Sequence, residues 1–313
     1  MMKKRKTLLA LSIVLGLMAI CTACGDKEKE TMQLEESSTA VISMEEDNNV
    51  DVTEITTALT QDQLYYKCLN TLEALQQLSG SVTIRNGANS DTITQGTFAF
   101  DFTADQYQAE VNYLDAAEKA VCLQTNTYYN TGGTVTSLYD YYGAKENTYT
   151  IDENGATMDG VTFANAVIAA DASVQSIGES NLYATLGQDP TNAHELAGCF
   201  VPQEMTLGYL ENFENWEITG TTEVQGRTCA IVTGTAEPDY GSRFGVTTFE
   251  ILVDQETGIW MQYEGYDEAG EVVDYIYTQD IQFGEEAAAV EAISDTVTQG
   301  YTFEENAASI VAE

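Results

Sequence analysis

The sequence predicts an α+β domain whose main element is a large antiparallel β-sheet. The clearest evidence is the stretch from Trp216 to Gly284, where four or five strands follow one another with tight turns between them. A second run of short strands, from Ser81 to Ile151, has turn signals at similarly short intervals, which favours a meander over βαβ units. An amphipathic stretch before residue 81 adds a leading helix. The class is therefore α+β, with the sheet dominant.

Alternation in the last predicted strand indicates which of its side chains face the core. Odd-numbered residues there are mostly apolar and even-numbered ones are polar, as a half-buried strand requires. The residues expected to face the core are Val273, Tyr275, Tyr277, Ile281 and Phe283. The chain has 18 tyrosines, many of them in these strands. Packing is the first interpretation of these aromatic rows, and a ligand-contacting face is the second.

The leading helix is predicted from a capping pattern and an apolar stripe. Thr60 and Gln63 have the spacing of a capping box, and Gly80 suits the position just after a helix end. Apolar residues recur between them at helical intervals, namely Leu64, Cys68, Leu72, Leu75 and Leu78. The pattern predicts a helix of about five turns that packs on the sheet.

The first 23 residues have the form of a secretory signal peptide. A basic head at residues 3–6 precedes an apolar stretch at residues 8–20, too short for a spanning helix. The following Ala-Cys-Gly, centred on Cys24, resembles a bacterial lipobox, in which the cysteine thiol is diacylated and the chain is cut before it. An ordinary signal peptide with an incidental cysteine is the alternative. We expect an extracytoplasmic protein held to the cell membrane through lipid on Cys24.

Residues 24–57 carry the lipidated cysteine and then an acidic stretch rich in Ser and Thr, which predicts a flexible tether. The whole chain has 50 acidic and 12 basic side chains, a net charge of −38. Such a charge is unfavourable for nucleic acid or an anionic lipid surface. We expect one domain over residues 58–284, with a helical insertion at about 161–210, then a short helix and tail over residues 285–313. Two separate domains are the alternative.

Few residues suggest catalysis or metal binding. His194 is the one histidine and lies in a polar loop, and no nucleophile, phosphate-loop or dinucleotide motif is present. No cofactor or metal is expected. The cysteines that remain after the anchor are Cys68, Cys122, Cys199 and Cys229. Buried thiols and one or two disulfides are both compatible with their positions.

The second half of the chain resembles a known superfamily. The residues that carry the resemblance read W-E-I-T-G, V-x-G-R-x-C-x-I-V, F-x-I-x-V-D-x-E-T-G-I and Y-x-x-x-G-E-V, between Trp216 and Val272. This pattern, with the leading helix and the helical insertion, resembles the LolA-like superfamily of bacterial lipoprotein carriers, their lipid-anchored receptors and related sensor domains. The resemblance implies an open, strongly curved half-barrel sheet with helices on its concave side and an apolar cavity for acyl chains or a peptide. No functional residue is carried over from the superfamily. Arg85, a rare cation on the first strand, is a candidate for ligand binding at the mouth of such a cavity; a surface or ordinary ion-pair role is the alternative.

The leading functional hypothesis is a non-enzymatic, lipid-anchored binding protein that acts as carrier, chaperone or sensor. Its ligand would be an apolar molecule or a lipidated or extended peptide. The second hypothesis is an envelope lipoprotein that binds a protein partner and no small ligand. A hydrolase of sugar polymers is the third, because abundant carboxylates leave a catalytic pair open.

Overall fold

The structure is a computed structural model that describes residues 59–143, 145–153 and 191–305. The predicted signal peptide, Cys24, the tether and residues 161–190 of the predicted insertion lie outside these ranges.

The described chain contains four α-helices and twelve strands. The helices are α1 (Gln61–Leu69), α2 (Ala197–Phe200), α3 (Gln203–Leu210) and α4 (Pro238–Phe244). The first six strands are β1 (Gln77–Arg85), β2 (Thr92–Asp101), β3 (Gln106–Asp115), β4 (Cys122–Thr131), β5 (Thr134–Tyr141) and β6 (Thr148–Asp152). The others are β7 (Trp216–Val224), β8 (Arg227–Thr235), β9 (Thr248–Asp254), β10 (Trp260–Tyr266), β11 (Val272–Phe283) and β12 (Thr302–Phe303).

All twelve strands form one open sheet in the order β12-β6-β5-β4-β3-β2-β1-β11-β10-β9-β8-β7. Two consecutive meanders, β1–β6 and β7–β11, are joined by antiparallel pairing of β1 with β11. Of the strands that the structure describes, only the short β12 pairs in parallel, with β6. The predicted class, an α+β fold with a large open antiparallel sheet, is confirmed.

The sheet is strongly curved at one end of the second meander. Gln225, in the turn between β7 and β8, donates through Nε2 to the carbonyl of Thr278 (2.8 Å) and accepts from the N–H of Ile281 (2.9 Å) on β11. The Arg227 guanidinium lies 4.0 Å from the ring centroid of Phe283. β11 is three strands away from β8 in the sheet, which in a flat sheet corresponds to about 14 Å. These contacts therefore require the sheet to curl.

The helices pack on one face of this sheet, which we call the inner face. Phe200 of α2 contacts Phe98 and Phe100 of β2, with ring centroids 5.5 and 4.7 Å apart. Tyr209 of α3 lies 5.0 Å from Phe249 and 5.3 Å from Tyr263. Burying each such side chain contributes roughly 1.5–3 kcal/mol, so this aromatic layer is a main source of stability.

The leading helix is shorter than its leucine spacing predicted. The capping box of Thr60 and Gln63 is present, but α1 ends at Leu69 and a 3-10 turn, Thr71–Glu73, follows. The C-terminal carbonyl of Leu69 accepts a hydrogen bond from Gln203 of α3 (2.9 Å). Gly80, expected just after the helix, instead lies inside β1. The prediction failed because Leu72, Leu75 and Leu78 are buried without a helix. Leu72 lies in the 3-10 turn, Leu78 lies in β1, and Leu75 lies between them.

The C-terminal segment also differs from its prediction. Residues 287–293 form no helix, and the N–H of Ala288 in this segment donates to Ser79 Oγ of β1 (2.8 Å). Further on, Tyr301 donates to the carboxylate of Asp140 at 2.9 Å, and β12 pairs with β6. Helix propensity is a weak preference, and tertiary contacts of this segment with the sheet override the preference of its alanines.

The V-D-x-E-T-G-I residues have a structural role. Asp254 is buried, and its Oδ2 accepts hydrogen bonds from the Thr257 N–H (2.9 Å) and from Arg227 Nη2 (2.8 Å). Gly258 has φ +82°, and a Cβ there would lie 2.3 Å from the carbonyl oxygen of Lys67 in α1. The motif therefore closes the β9–β10 turn and allows it to pack against the leading helix.

Candidate functional site

The side chains of β11 alternate in the opposite phase to the prediction over its first half. Asp274, Ile276 and Thr278 are 3%, 2% and 5% exposed and face inward. Tyr275 and Tyr277 therefore point to the opposite face of the sheet, which we call the outer face. A bulge near Asp280, whose φ is +52°, restores the predicted phase beyond it. The prediction was thus wrong for the two tyrosines.

Asp274 is tolerated inside because its carboxylate is hydrogen bonded. Oδ1 accepts from the N–H of Gly87 (3.1 Å) and Oδ2 from the hydroxyl of Tyr263 (2.9 Å). The Tyr209 hydroxyl lies 2.6 Å from that of Tyr263. Since the Tyr263 hydroxyl has one proton, Tyr209 donates to it in turn. Burial raises the pKa of Asp274 to about 6.

On the outer face, the strand register places polar residues of neighbouring strands in one transverse row. Thr233 pairs with Glu250, Glu250 with Glu264, and Glu264 with Tyr275. Directly paired residues on one face have Cβ atoms about 5 Å apart, so these side chains are in reach of one another. Tyr277 stacks on Tyr275 with ring centroids 4.8 Å apart.

Glu264 is fully engaged within this row. Its Oε2 accepts a hydrogen bond from the Tyr266 hydroxyl (2.5 Å) and its Oε1 from the Tyr277 hydroxyl (2.7 Å). Burial, followed by the hydrogen bond to Glu264, raises the pKa of both tyrosines, which therefore remain protonated donors. The two donors fix the orientation of this carboxylate.

Glu250 is different. Among the described residues none donates a hydrogen bond or forms an ion pair to its carboxylate. Partial burial, and then the neighbouring charge of Glu264, raise its pKa. A carboxylate in this position gains from a cationic partner more than a fully solvated one does, because the partner offsets both unfavourable effects.

Glu250 lies in an open groove of about 640 Å³ that crosses the ends of β7 to β10. The lining is formed by Glu214, Asn215, Trp216, Glu217, Thr233, Gly234, Thr235, Thr248, Phe249, Glu250 and Tyr266. As far as the structure describes the chain, this lining combines three glutamates with aromatic side chains and contains no lysine or arginine. Since Tyr266 also holds Glu264, we call this surface the acid–tyrosine groove. Its chemistry suits a cationic, extended ligand.

The sequence singled out other residues. Arg85 lies on the outer face, opposite Tyr275, and its Nη2 donates to the carbonyl of Ala88 (3.3 Å). It is therefore on the face away from the helices. His194 begins a short 3-10 turn, His194–Leu196, before α2. Cys24 lies outside the described residues.

The four cysteines within the described ranges are free. Burial raises the pKa of Cys68, Cys199 and Cys229 to about 12 in each case, so these three are unreactive thiols at neutral pH. Across the same ranges, no group of three or more His, Cys, Asp or Glu side chains is placed to hold a metal ion. Nor does any helix described by the structure combine the length and hydropathy that crossing a membrane requires.

The inner face offers a different lining. Next to the helices it is filled by the aromatic layer described above. Over β4 to β6, the register places more polar than apolar side chains on this face. The buried polar ones are Asn126, Asn130, Ser137, Thr148 and Thr150, and the buried apolar ones are Tyr128 and Val135. In the described chain, this half of the concavity is therefore less apolar than the lining that an acyl chain requires.

Sequence reasoning missed the acid–tyrosine groove for a physical reason. Glu217, Glu250 and Glu264 are far apart in sequence and adjacent only through strand register. The alternation of β11 was the available signal for the tyrosines beside the groove, but the bulge near Asp280 reversed its phase for Tyr275 and Tyr277.

No protein-family model and no curated protein matches this sequence. Solved structures with a similar layout include MucB, with 14% identity over 75% of this chain and 66% of that one, at a TM-score of 0.33. The Mycobacterium tuberculosis lipoprotein LppX has 10% identity over 73% and 98% of the two chains (TM-score 0.35). An outer-membrane lipoprotein-sorting protein domain from Vibrio parahaemolyticus has 8% identity over 72% and 92% (TM-score 0.27). This chain spans slightly less than two thirds of the length of MucB. The similarity to these LolA-like proteins is one of fold alone: an open, mostly antiparallel sheet with helices on one face.

Proposed function

We propose that this chain is a membrane-anchored, non-enzymatic binding lipoprotein of the cell envelope, and that it binds a basic segment of a partner protein in the acid–tyrosine groove. The observation that carries the proposal is the carboxylate of Glu250, which has no hydrogen-bond or ion-pair partner among the described residues and lies in a groove whose described lining adds two glutamates and no lysine or arginine. This corresponds to the protein-partner hypothesis of the sequence analysis.

Physical chemistry supports a ligand with lysine or arginine side chains. Each partly exposed ion pair contributes about 0.2–1 kcal/mol, and an exposed cation over a tyrosine face contributes about 0.5–1 kcal/mol. Three glutamates and Tyr266 could together contribute a few kcal/mol. Such binding is moderate in affinity and weakens as salt screens the charges.

Anchoring rests on the lipobox-like sequence at Cys24, followed by the acidic residues 25–57. Two or more acyl chains give stable attachment. The net charge of −38 opposes contact between the domain and an anionic membrane surface, which leaves the groove available to a partner.

The alternative is the apolar ligand that the family resemblance implies. Such a ligand would lie on the inner face, where Phe98, Phe100 and Phe200 already pack against one another and the lining over β4 to β6 is mostly polar. This lining supports the alternative less well than the groove supports a basic segment.

The two proposals are separated by a binding experiment on the mature lipoprotein in a mild non-ionic detergent. The probes are a fluorescent 11-residue peptide with lysine at alternate positions and valine or threonine between them, the same peptide with glutamate in place of lysine, and a fluorescent fatty acid. We expect the lysine peptide to bind and the other two probes not to. Stoichiometric binding of the fatty acid without binding of the lysine peptide would contradict the proposal and favour the apolar ligand.

A further inference from the structure

The sheet has two edges, and the structure treats them differently. At the first edge, β6 is covered by β12 from the C-terminal segment of the same chain. At the other edge, β7 (Trp216–Val224) pairs with β8 on one side, and no described strand pairs with its outer side. β7 has nine residues, and an edge strand without a partner leaves backbone donors and acceptors available to another chain.

Two hydrogen bonds show which backbone groups of β7 point outward. The N–H of Thr235 donates to the carbonyl of Asn215 (2.9 Å), so Asn215 and, two residues on, Glu217 direct their backbone groups toward β8. Trp216 and Ile218 then point away from β8. Consistent with this, the carbonyl of Trp216 accepts a hydrogen bond from Gln61 Nε2 of α1 (2.7 Å).

The outward phase changes at a bulge. Ile218 pairs with Val232 but Gly220 pairs with Ile231, so Thr219 is the extra residue. Beyond the bulge, Gly220, Thr222 and Val224 bond to β8, and Thr221 and Glu223 point their backbone groups outward. Gln61 covers the Trp216 end, so the open part of the edge is the short stretch from Ile218 to Val224.

The charges along this edge select among possible occupants. Glu217 and Glu223 are exposed on β7, Glu211 and Glu214 precede it, and residues 211–224 contain no lysine or arginine. Pairing of this edge with the same edge of a second copy would bring like charges together, which is unfavourable. A strand with lysine or arginine side chains would instead meet opposite charges.

We propose that β7 accepts an extended, basic segment of a partner protein as an added β-strand along Ile218–Val224, next to the acid–tyrosine groove at Glu214 and Glu217. The inference rests on the proposed function, since it specifies how the basic segment docks. Backbone hydrogen bonds to the edge give the segment its extended form, and the glutamates select its charge.

The test uses the mature lipoprotein in detergent and the lysine peptide described above. Two further versions of this peptide are N-methylated, one at the odd-numbered residues and the other at the even-numbered residues. Each version loses the backbone donors of one edge of the peptide strand and keeps every charge. We expect at least one of the two N-methylated peptides to bind the protein at least tenfold more weakly than the parent peptide. Equal affinity for both N-methylated sets and the parent peptide would overturn strand addition.

A variant of β7 in the protein also tests strand addition. T221P removes an N–H that points outward and that β8 does not use, so thermal unfolding should change little. T221V, which keeps the N–H, is the matched control. We expect T221P to bind the lysine peptide at least tenfold more weakly than T221V; equal binding by two folded variants would overturn the inference. Because the N-methylated peptides are tested on the unaltered protein, the inference stays testable even if T221P does not fold.

The outcomes separate this inference from the proposed function. Binding of the lysine peptide that requires the groove glutamates but is unaffected by N-methylation and by T221P overturns strand addition and leaves the groove proposal standing. No binding of the lysine peptide at all overturns both.

Discussion

Glu250 and Glu264 are paired across β9 and β10 on the outer face, yet within the described part of the chain only the carboxylate of Glu264 is hydrogen bonded, by Tyr266 and Tyr277. The two tyrosines donate to both oxygens of the Glu264 carboxylate, and the Glu250 carboxylate stays available to a ligand. A partly buried, unpaired carboxylate beside a second charge is a cost to the folded state that a cationic ligand can offset.

Replacing Glu250 with glutamine should therefore weaken ligand binding without destabilising the protein. The raised pKa of Glu250 means that its ionised form is disfavoured in the folded state, so E250Q should leave the free energy of unfolding at pH 7 unchanged or raise it by less than about 0.5 kcal/mol. Urea unfolding measures this. E264Q is the comparison: it weakens the acceptor of two tyrosine hydroxyls and should cost about 1 kcal/mol. Destabilisation by E250Q equal to that of E264Q would show that Glu250 has a partner.

The buried carboxylate of Asp274 predicts a specific pH dependence. Its pKa of about 6 in the folded protein lies above the value of about 3.9 for an unfolded chain. The folded state therefore binds this proton between roughly pH 6 and pH 4, where the unfolded chain does not. This group makes the protein more stable as the pH falls through 6 and less stable as it rises.

The variant D274N tests this prediction. An asparagine can accept from the Gly87 N–H and donate to the Tyr263 hydroxyl, so the fold should persist. We measure the free energy of unfolding in urea between pH 4 and pH 7. We expect D274N to lack the stabilisation that protonation of Asp274 gives the unaltered protein as the pH falls. An unchanged pH profile would assign that contribution to other groups.

Gly258 tests the packing of the β9–β10 turn, and Gly270, in the turn between β10 and β11, is its control. Both have positive φ, +82° and +79°, but a Cβ on Gly258 would meet the carbonyl of Lys67 at 2.3 Å, whereas a Cβ on Gly270 meets nothing within 4 Å. G270A should cost about 1 kcal/mol for its backbone conformation alone. G258A should cost about 3 kcal/mol or more, because α1 must move. Equal losses in thermal or urea unfolding would show that the turn does not pack on α1 as described.

The cysteines predict a simple labelling result. Cys68, Cys199 and Cys229 are buried free thiols, and Cys122 is half-buried. A thiol reagent should label one cysteine of the described domain, Cys122, in the native protein and all four after denaturation without reductant. Mass spectrometry of the labelled peptides identifies them. Fewer than four labelled cysteines in denaturant would indicate a disulfide.

Local patterns predicted much of the fold. The capping box of Thr60 and Gln63, the glycine turns and the period-two strands all depend on neighbouring residues, and the structure contains them. The end of α1 was missed because buried leucines at positions 72, 75 and 78 keep helical spacing while lying in a turn and a strand. Residues near in sequence could not reveal that the helix ends at Leu69.

The candidate site was beyond these patterns. The row of Thr233, Glu250, Glu264 and Tyr275 exists through three strand registers, each fixed by packing across the whole sheet. The bulge near Asp280 has no clear local signature, and it decides that Tyr275 and Tyr277 face outward. The V-D-x-E-T-G-I motif was recognisable in the sequence, but its role is structural: it closes the β9–β10 turn and lets that turn pack against Lys67.

The central claim, that the acid–tyrosine groove binds a basic segment, is tested most directly by charge variants of the groove. The measurement is the affinity of the lysine peptide, at 50 and 300 mM salt, for the triple variant E214Q/E217Q/E250Q. The control triple variant E110Q/E118Q/E146Q removes the same charge from exposed positions of the first meander. Three lost ion pairs of about 0.5 kcal/mol each predict a roughly tenfold weaker affinity for the groove variant at low salt, and a smaller difference at high salt. Equal affinities of the two triple variants would contradict the account, because net charge alone would then explain the binding.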